Sequence, residues 1–127
     1  MEIKQNNPTL NAIISIYEQA KDSKFSQSFL ESIQNDSITL QQYFKLDADE
    51  SLLLALFIAI QLEEDNVDLQ KLAAHIGCSK LKILSFKTII DNFFQLGILA
   101  KEQVNIRMRL MGSQSLSYMV NRVLMDA

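Results

Sequence analysis

Apolar residues recur every three or four positions through most of the chain, then at every second position near its end. The most specific stretch runs from Asp68 to Leu99. Leu72 and Ile76 are four apart and share a helix face. Ala73, beside them, is small enough for a second helix to cross closely. Gly77 can end the first helix in the left-handed region without steric cost. Cys78 is small and apolar, suited to burial in a turn, and Ser79 can cap a second helix. Ile83 and Phe86 open that helix's buried stripe, which continues through Ile90, Phe93 and Phe94. Apolar at 72, small at 73, apolar at 76, glycine at 77 and apolar at 78, 83 and 86 is the spacing of a helix-turn-helix. An ordinary helical hairpin is the plainer alternative.

Upstream, Asn7 and Pro8 predict a helix start, a capping side chain followed by proline at the first helical position. Leu10, Ile13, Ile14 and Tyr17 then share a face. Ser23 can cap a second helix with Phe25, Phe29, Leu30 and Ile33 on its apolar side. Asn35-Asp36-Ser37 reads as a turn. Thr39 with Gln42 reads as a capping box, stapled by Ile38 and Tyr43, which predicts a short helix ending near Lys45. Asp47 with Glu50 is a further capping box. The helix it opens is apolar all round from Leu52 to Ile60, the pattern of a central core helix. Glu63, Glu64 and Asp65 end it, because acids at a helix C-terminus oppose the macrodipole.

Downstream, Gly97-Ile98-Leu99 turns the chain toward a strand. Val104, Ile106 and Met108 alternate with Asn105, Arg107 and Arg109, the period of a half-buried strand. Residues 111–115 are turn-like, and Leu116, Tyr118 and Val120 predict a returning strand. Asn121 can cap a last helix that has no stop signal before Ala127, so the chain is expected to be a domain cut from a longer protein. The expected fold is mostly α (α+β): a helical N-terminal part over 8–63, packed on a winged helix-turn-helix over 68–96. A small antiparallel β-hairpin wing follows over 98–120, and a truncated helix over 121–127.

Composition narrows the classes. At 127 residues and 48% hydrophobic, the chain suits one domain with a real core. The longest apolar run, Leu52 to Ile60, falls far short of the ~20 residues a membrane helix needs, so no membrane is expected. A single cysteine excludes an internal disulfide framework and fits a reducing cytoplasm, the expected location. The N-terminal residues carry no signal-peptide pattern. The net charge of −3 conceals an asymmetry. Residues 1–66 carry four basic and eleven acidic side chains, net −7, and residues 67–127 carry eight basic and four acidic, net +4. The two halves therefore attract each other or face different partners.

Candidate chemistry is sparse. His75 and Cys78 are three apart, but half a metal site or a Cys–His pair needs partners that the sequence lacks, and a turn cysteine in this motif points inward. The acids at 63–65 read as solvated. No catalytic constellation emerges, so the chain reads as a binding module, not an enzyme.

The order of elements, together with VDLQKLAAHIGCSKLKILSFKTIIDNFFQLGIL and LSYMVNRVLMDA, resembles the winged-helix domain at the N-terminus of bacterial, Bacteroides-type AAA-family ATPases. That resemblance implies an ATPase module beyond Ala127, and ATP with magnesium would belong there. Gly77, Gly97 and Gly112 cannot build a phosphate loop, so no cofactor is expected in this chain.

Two functions compete on the exposed side of the second motif helix. Ser79, Lys80, Leu81, Leu84, Ser85 and Thr88 would face a partner, with Lys82 and Lys87 beside them and Lys101, Arg107 and Arg109 in support. As a DNA-binding regulator, the chain would set these residues in a major groove. Leucines at 81 and 84 cannot hydrogen-bond a base edge. The preferred expectation is therefore a regulatory or interaction domain that docks a protein partner or neighbouring subunits of the full-length protein.

Overall fold

The computed structural model describes residues 7–64 and 67–95 in full, and the backbone of 99–102 and 105–108. Seven helices and two strands follow in order: α1 (Pro8–Ala20), α2 (Gln27–Ser32), α3 (Gln34–Phe44), α4 (Ala48–Glu64), α5 (Leu69–Ile76), α6 (Lys80–Leu84), α7 (Lys87–Gln95), β1 (Leu99–Glu102) and β2 (Asn105–Met108).

The core is organised by α4. Asp47 and Glu50 start it reciprocally: the Glu50 N–H donates to Asp47 Oδ1 at 2.9 Å and the Asp47 N–H to Glu50 Oε1 at 3.1 Å. Ten consecutive residues, Ser51 to Ile60, are then buried. A helix can be buried all round only if other helices cover every side. Here α1 and α3 pack on α4 and on each other, and α5 packs on α4. Leu72, Ala73, Ile76, Ile83, Ile90 and Phe93 join the same apolar cluster, with Phe86 half-buried at its edge. Phe93 meets Phe57 edge-on, ring centroids 6.2 Å apart.

Local signals were obeyed unevenly. Asn7 caps α1 through the Leu10 N–H at 3.0 Å. Ser26 caps α2, where Ser23 was expected; Ser23 instead accepts from the Phe25 N–H inside the preceding loop. The expected turn at 35–37 and helix start at Thr39 are absent, because α3 runs unbroken through both. Thr39 Oγ1 donates to the Asn35 carbonyl, the bond that lets a threonine sit inside a helix. The end near Lys45 is as expected: that residue is left-handed, at φ 59°.

The winged helix is not seen. Residues 7–64 and 67–95 are 79% helical and contain no strand. The expected long second motif helix is two helices, α6 and α7. Between them the Ser85 N–H and hydroxyl both donate to the Lys82 carbonyl, and the Phe86 N–H to that of Ile83. These three-residue bonds tighten the helix and interrupt it. The expected wing joined strands at 104–109 and 116–120. Instead β2 pairs backwards with β1 in a four-residue antiparallel ladder, Leu99 opposite Met108 and Glu102 opposite Asn105. Alternation identifies a strand but not its partner, and a partner two residues upstream costs the least loop-closure entropy. The expected wing tip, the returning strand and the last helix lie outside the described residues.

Phe93→Ala should cost about 3–5 kcal/mol of stability, because it opens a cavity against Phe57. Leu81→Ser, on the surface, should change stability by less than about 0.5 kcal/mol. Urea unfolding followed by circular dichroism measures both.

Candidate interaction face on helices five to seven

Asp68 begins α5 by accepting the Lys71 N–H at 2.8 Å, and Lys71 Nζ lies 3.8 Å from Glu64 Oε1 at the end of α4. Gly77 ends α5 at φ 84°, donating its N–H to the Ala73 carbonyl. Two further end carbonyls are met by the loop between α1 and α2: the Asp22 N–H donates to His75 O and the Lys24 N–H to Ile76 O, both at 2.9 Å. To reach them the loop places Asp22, Lys24 and Phe25 at φ between 53° and 57°, a left-handed conformation that side chains resist. A Cβ on Gly77 would lie 3.1 Å from the Asp22 backbone, so the glycine is needed for space as well as for φ.

His75 is held by the same junction. Its ring stacks on Tyr17 at 4.2 Å, and Nε2 lies 2.7 Å from the Tyr17 carbonyl, where it serves as the donor. Burial, then the charges of Glu63 and Glu64, push the Tyr17 hydroxyl pKa up. Cys78 sits half-buried behind the turn. Burial raises its pKa, and Lys82 offsets part of that rise. Among the described residues, no group of three acidic, histidine or cysteine side chains is placed to hold a metal ion.

Ser79 caps α6 by accepting the Lys82 N–H at 3.2 Å. Ile83 turns fully inward, and Phe86 meets Phe25 edge-on at 5.5 Å. The anchoring of these two fixes what faces out. Ser79, Lys80, Leu81, Lys82, Leu84, Ser85, Lys87 and Thr88 are all exposed, Leu81 at 78% and Leu84 at 45%. Several polar groups of this face are already engaged. The Ser79 hydroxyl holds the cap, the Ser85 hydroxyl holds the Lys82 carbonyl, and Lys87 pairs with Asp91 at 2.6 Å. Lys80 and Lys82 have no carboxylate within ion-pair distance among the described residues. Arg107 lies in β2, opposite Ala100, and Lys101 in β1, opposite Ile106; Arg109 lies outside the described residues.

The pattern of apolar positions assigned three residues inward that the structure leaves on the surface: Ile14 at 42%, Leu30 at 42% and Ile38 at 46% exposed. Ile14 and Leu62, the latter 44% exposed, line a groove of about 350 Å³ between α1 and the C-terminal end of α4. Leu10, Ile13, Tyr17 and Ala59 complete its apolar lining, and Glu18 and Glu63 its rim. Leu30 and Ile38 line a more polar groove with Gln27, Gln34 and Gln41. The one signal for the groove beside α1 was a surplus: α1 has more apolar positions than α3 and α4 cover.

Among the described residues, no helix is long and apolar enough to cross a membrane. No protein-family model, curated protein or solved structure matches the chain.

Because burial holds the Cys78 thiol protonated to higher pH, its alkylation by iodoacetamide should accelerate only above the pH at which an unfolded-chain thiol reacts. Lys82→Ala should move the rate profile higher still. Stopped alkylation read by mass spectrometry checks both shifts.

Proposed function

We propose that this chain is a non-catalytic docking module and that the exposed side of α6 binds protein. The observation that carries the reading is Leu81. It stands almost fully in solvent on a helix whose opposite side is anchored in the core, with half-exposed Leu84 one turn on. Apolar side chains held out on a rigid element cost solvation that a partner relieves. Lys80 and Lys82 flank them and favour an acidic partner.

DNA binding is the second reading, favoured by the exposed lysines and by Thr88. Several features weigh against it. A five-residue α6 followed by a break offers few positions to a major groove. The side chains best placed to reach it are leucines, which can touch a thymine methyl but cannot read a donor or acceptor. Asp91 neutralises Lys87 and would itself be repelled by phosphate. The larger assembly proposed for the module is an AAA-family ATPase. A phosphate-loop motif encoded downstream of Ala127 in the native reading frame would support it, and a stop codon there would remove it.

Titration of duplex DNA at two salt concentrations tests the choice. The docking reading predicts no binding tighter than the non-specific range, about 1–100 µM at physiological salt. Submicromolar affinity, weakened by Lys80→Ala and by added salt, would overturn it in favour of DNA.

A further inference from the structure

The ridge on α6 and the groove beside α1 are complementary. The ridge presents Leu81 and Leu84 between Lys80 and Lys82, basic with an apolar crest. The groove presents Leu10, Ile13, Ile14, Tyr17, Ala59 and Leu62 between Glu18 and Glu63, apolar with an acidic rim. No basic side chain lines it among the described residues. Charge and hydropathy therefore match in the sense that association requires: opposite signs at the rims, apolar area at the centres.

The two surfaces share no residue. The groove lies at Ala59–Glu63, near the C-terminal end of α4. The ridge belongs to α6, and Leu81 and Leu84 stay exposed within one copy, so the ridge does not fill its own groove.

We propose that the α6 ridge of one copy docks into the α1–α4 groove of a second copy, head to tail. The proposal rests on the protein-docking reading of the ridge and names its partner. Such an interface is heterologous: each copy offers one ridge and one groove, so copies add in series and form a ring or an open chain according to the rotation between them. A single-turn ridge covers much less than the roughly 800 Å² per partner of a stable complex. The contact is accordingly weak and concentration-driven, with a Kd on the order of tens to hundreds of micromolar.

Sedimentation velocity on the full 127-residue chain, from ~10 µM to ~1 mM at low and high salt, gives the first reading. Mass should rise with concentration at low salt and fall back at high salt. The ridge variant Leu81→Ser/Leu84→Ser and the groove variant Ile14→Ser/Leu62→Ser should each weaken association at least about tenfold while keeping the wild-type circular dichroism. Mixing decides the geometry. Ridge variant and groove variant, each monomeric alone, should form one-to-one dimers that grow no further, because only one functional ridge and one functional groove remain. Charge reversal gives a second route that spares the apolar packing. Lys80→Glu/Lys82→Glu and Glu18→Lys/Glu63→Lys should each fail alone and associate when mixed. A chain monomeric at every concentration would overturn the proposal without touching the docking reading, which the DNA titration tests separately. Association that survives the groove variant would overturn it too, as would loss on Leu30→Ser/Ile38→Ser instead. So would ridge and groove variants that remain monomeric when mixed.

Discussion

Burial of α4 on every side is the constraint on which the rest depends. A helix that hides ten successive residues cannot be completed by one neighbour. It needs α1 and α3 along its length, α5 beside it, and Phe93 from α7 against Phe57. Each of those helices must then turn its own apolar stripe toward α4, and that sets which of their residues reach solvent. The composition of α4 therefore decides the orientation of elements that lie far from it in sequence, α6 among them, because Ile83 and Phe86 follow the core and carry Leu81 and Leu84 outward.

The junction of α5 with the loop at 21–25 is the second fixed point. Helix ends leave carbonyls that must find donors, and here the donors come from another part of the chain, at Asp22 and Lys24. Both donors, and Phe25 after them, take left-handed backbone, a conformation costing on the order of 1 kcal/mol or more for each non-glycine residue. The stack of His75 on Tyr17 lies at the same place and ties α5 to α1. This clamp positions the turn at Gly77 and, through it, the start of α6.

Much of the helical body could be read from residues with a local mechanism. Asn7, Asp47 with Glu50, Gly77 and Ser79 all act where their side chains or freedom of φ predict, because capping involves only neighbours in sequence. The all-round apolar run at 52–60 announced the core helix for the same reason. Reading failed where the outcome depended on competition. Thr39 was equally suited to start a helix or to bond back within one, and continuity from Ile33 decided it. Ser85 broke the second motif helix through a hydroxyl that could as well have faced solvent. The strand at 105–108 was visible as alternation, but its partner was not, since pairing is a long-range choice that periodicity does not encode. Of the candidate face, the outward set on α6 was legible from its helical period. The groove at Ile14 and Leu62 was not, because a surplus of apolar positions on α1 shows only once its neighbours are known to leave them bare.

Apolar surface that the core does not take up is the link between the fold and the proposed docking function. The core fixes Leu81 and Leu84 outside it and leaves Ile14 and Leu62 uncovered. The most direct measurement of that link is intermolecular paramagnetic relaxation. A nitroxide on Thr88→Cys, which is exposed beside the ridge and leaves Leu81 and Leu84 in place, in a Cys78→Ser background, is mixed with isotope-labelled wild-type chain. Amide signals of residues 10–18 and 59–63 should broaden selectively and recover at high salt. Broadening spread evenly over the surface, or centred on residues 79–88, would contradict the head-to-tail docking.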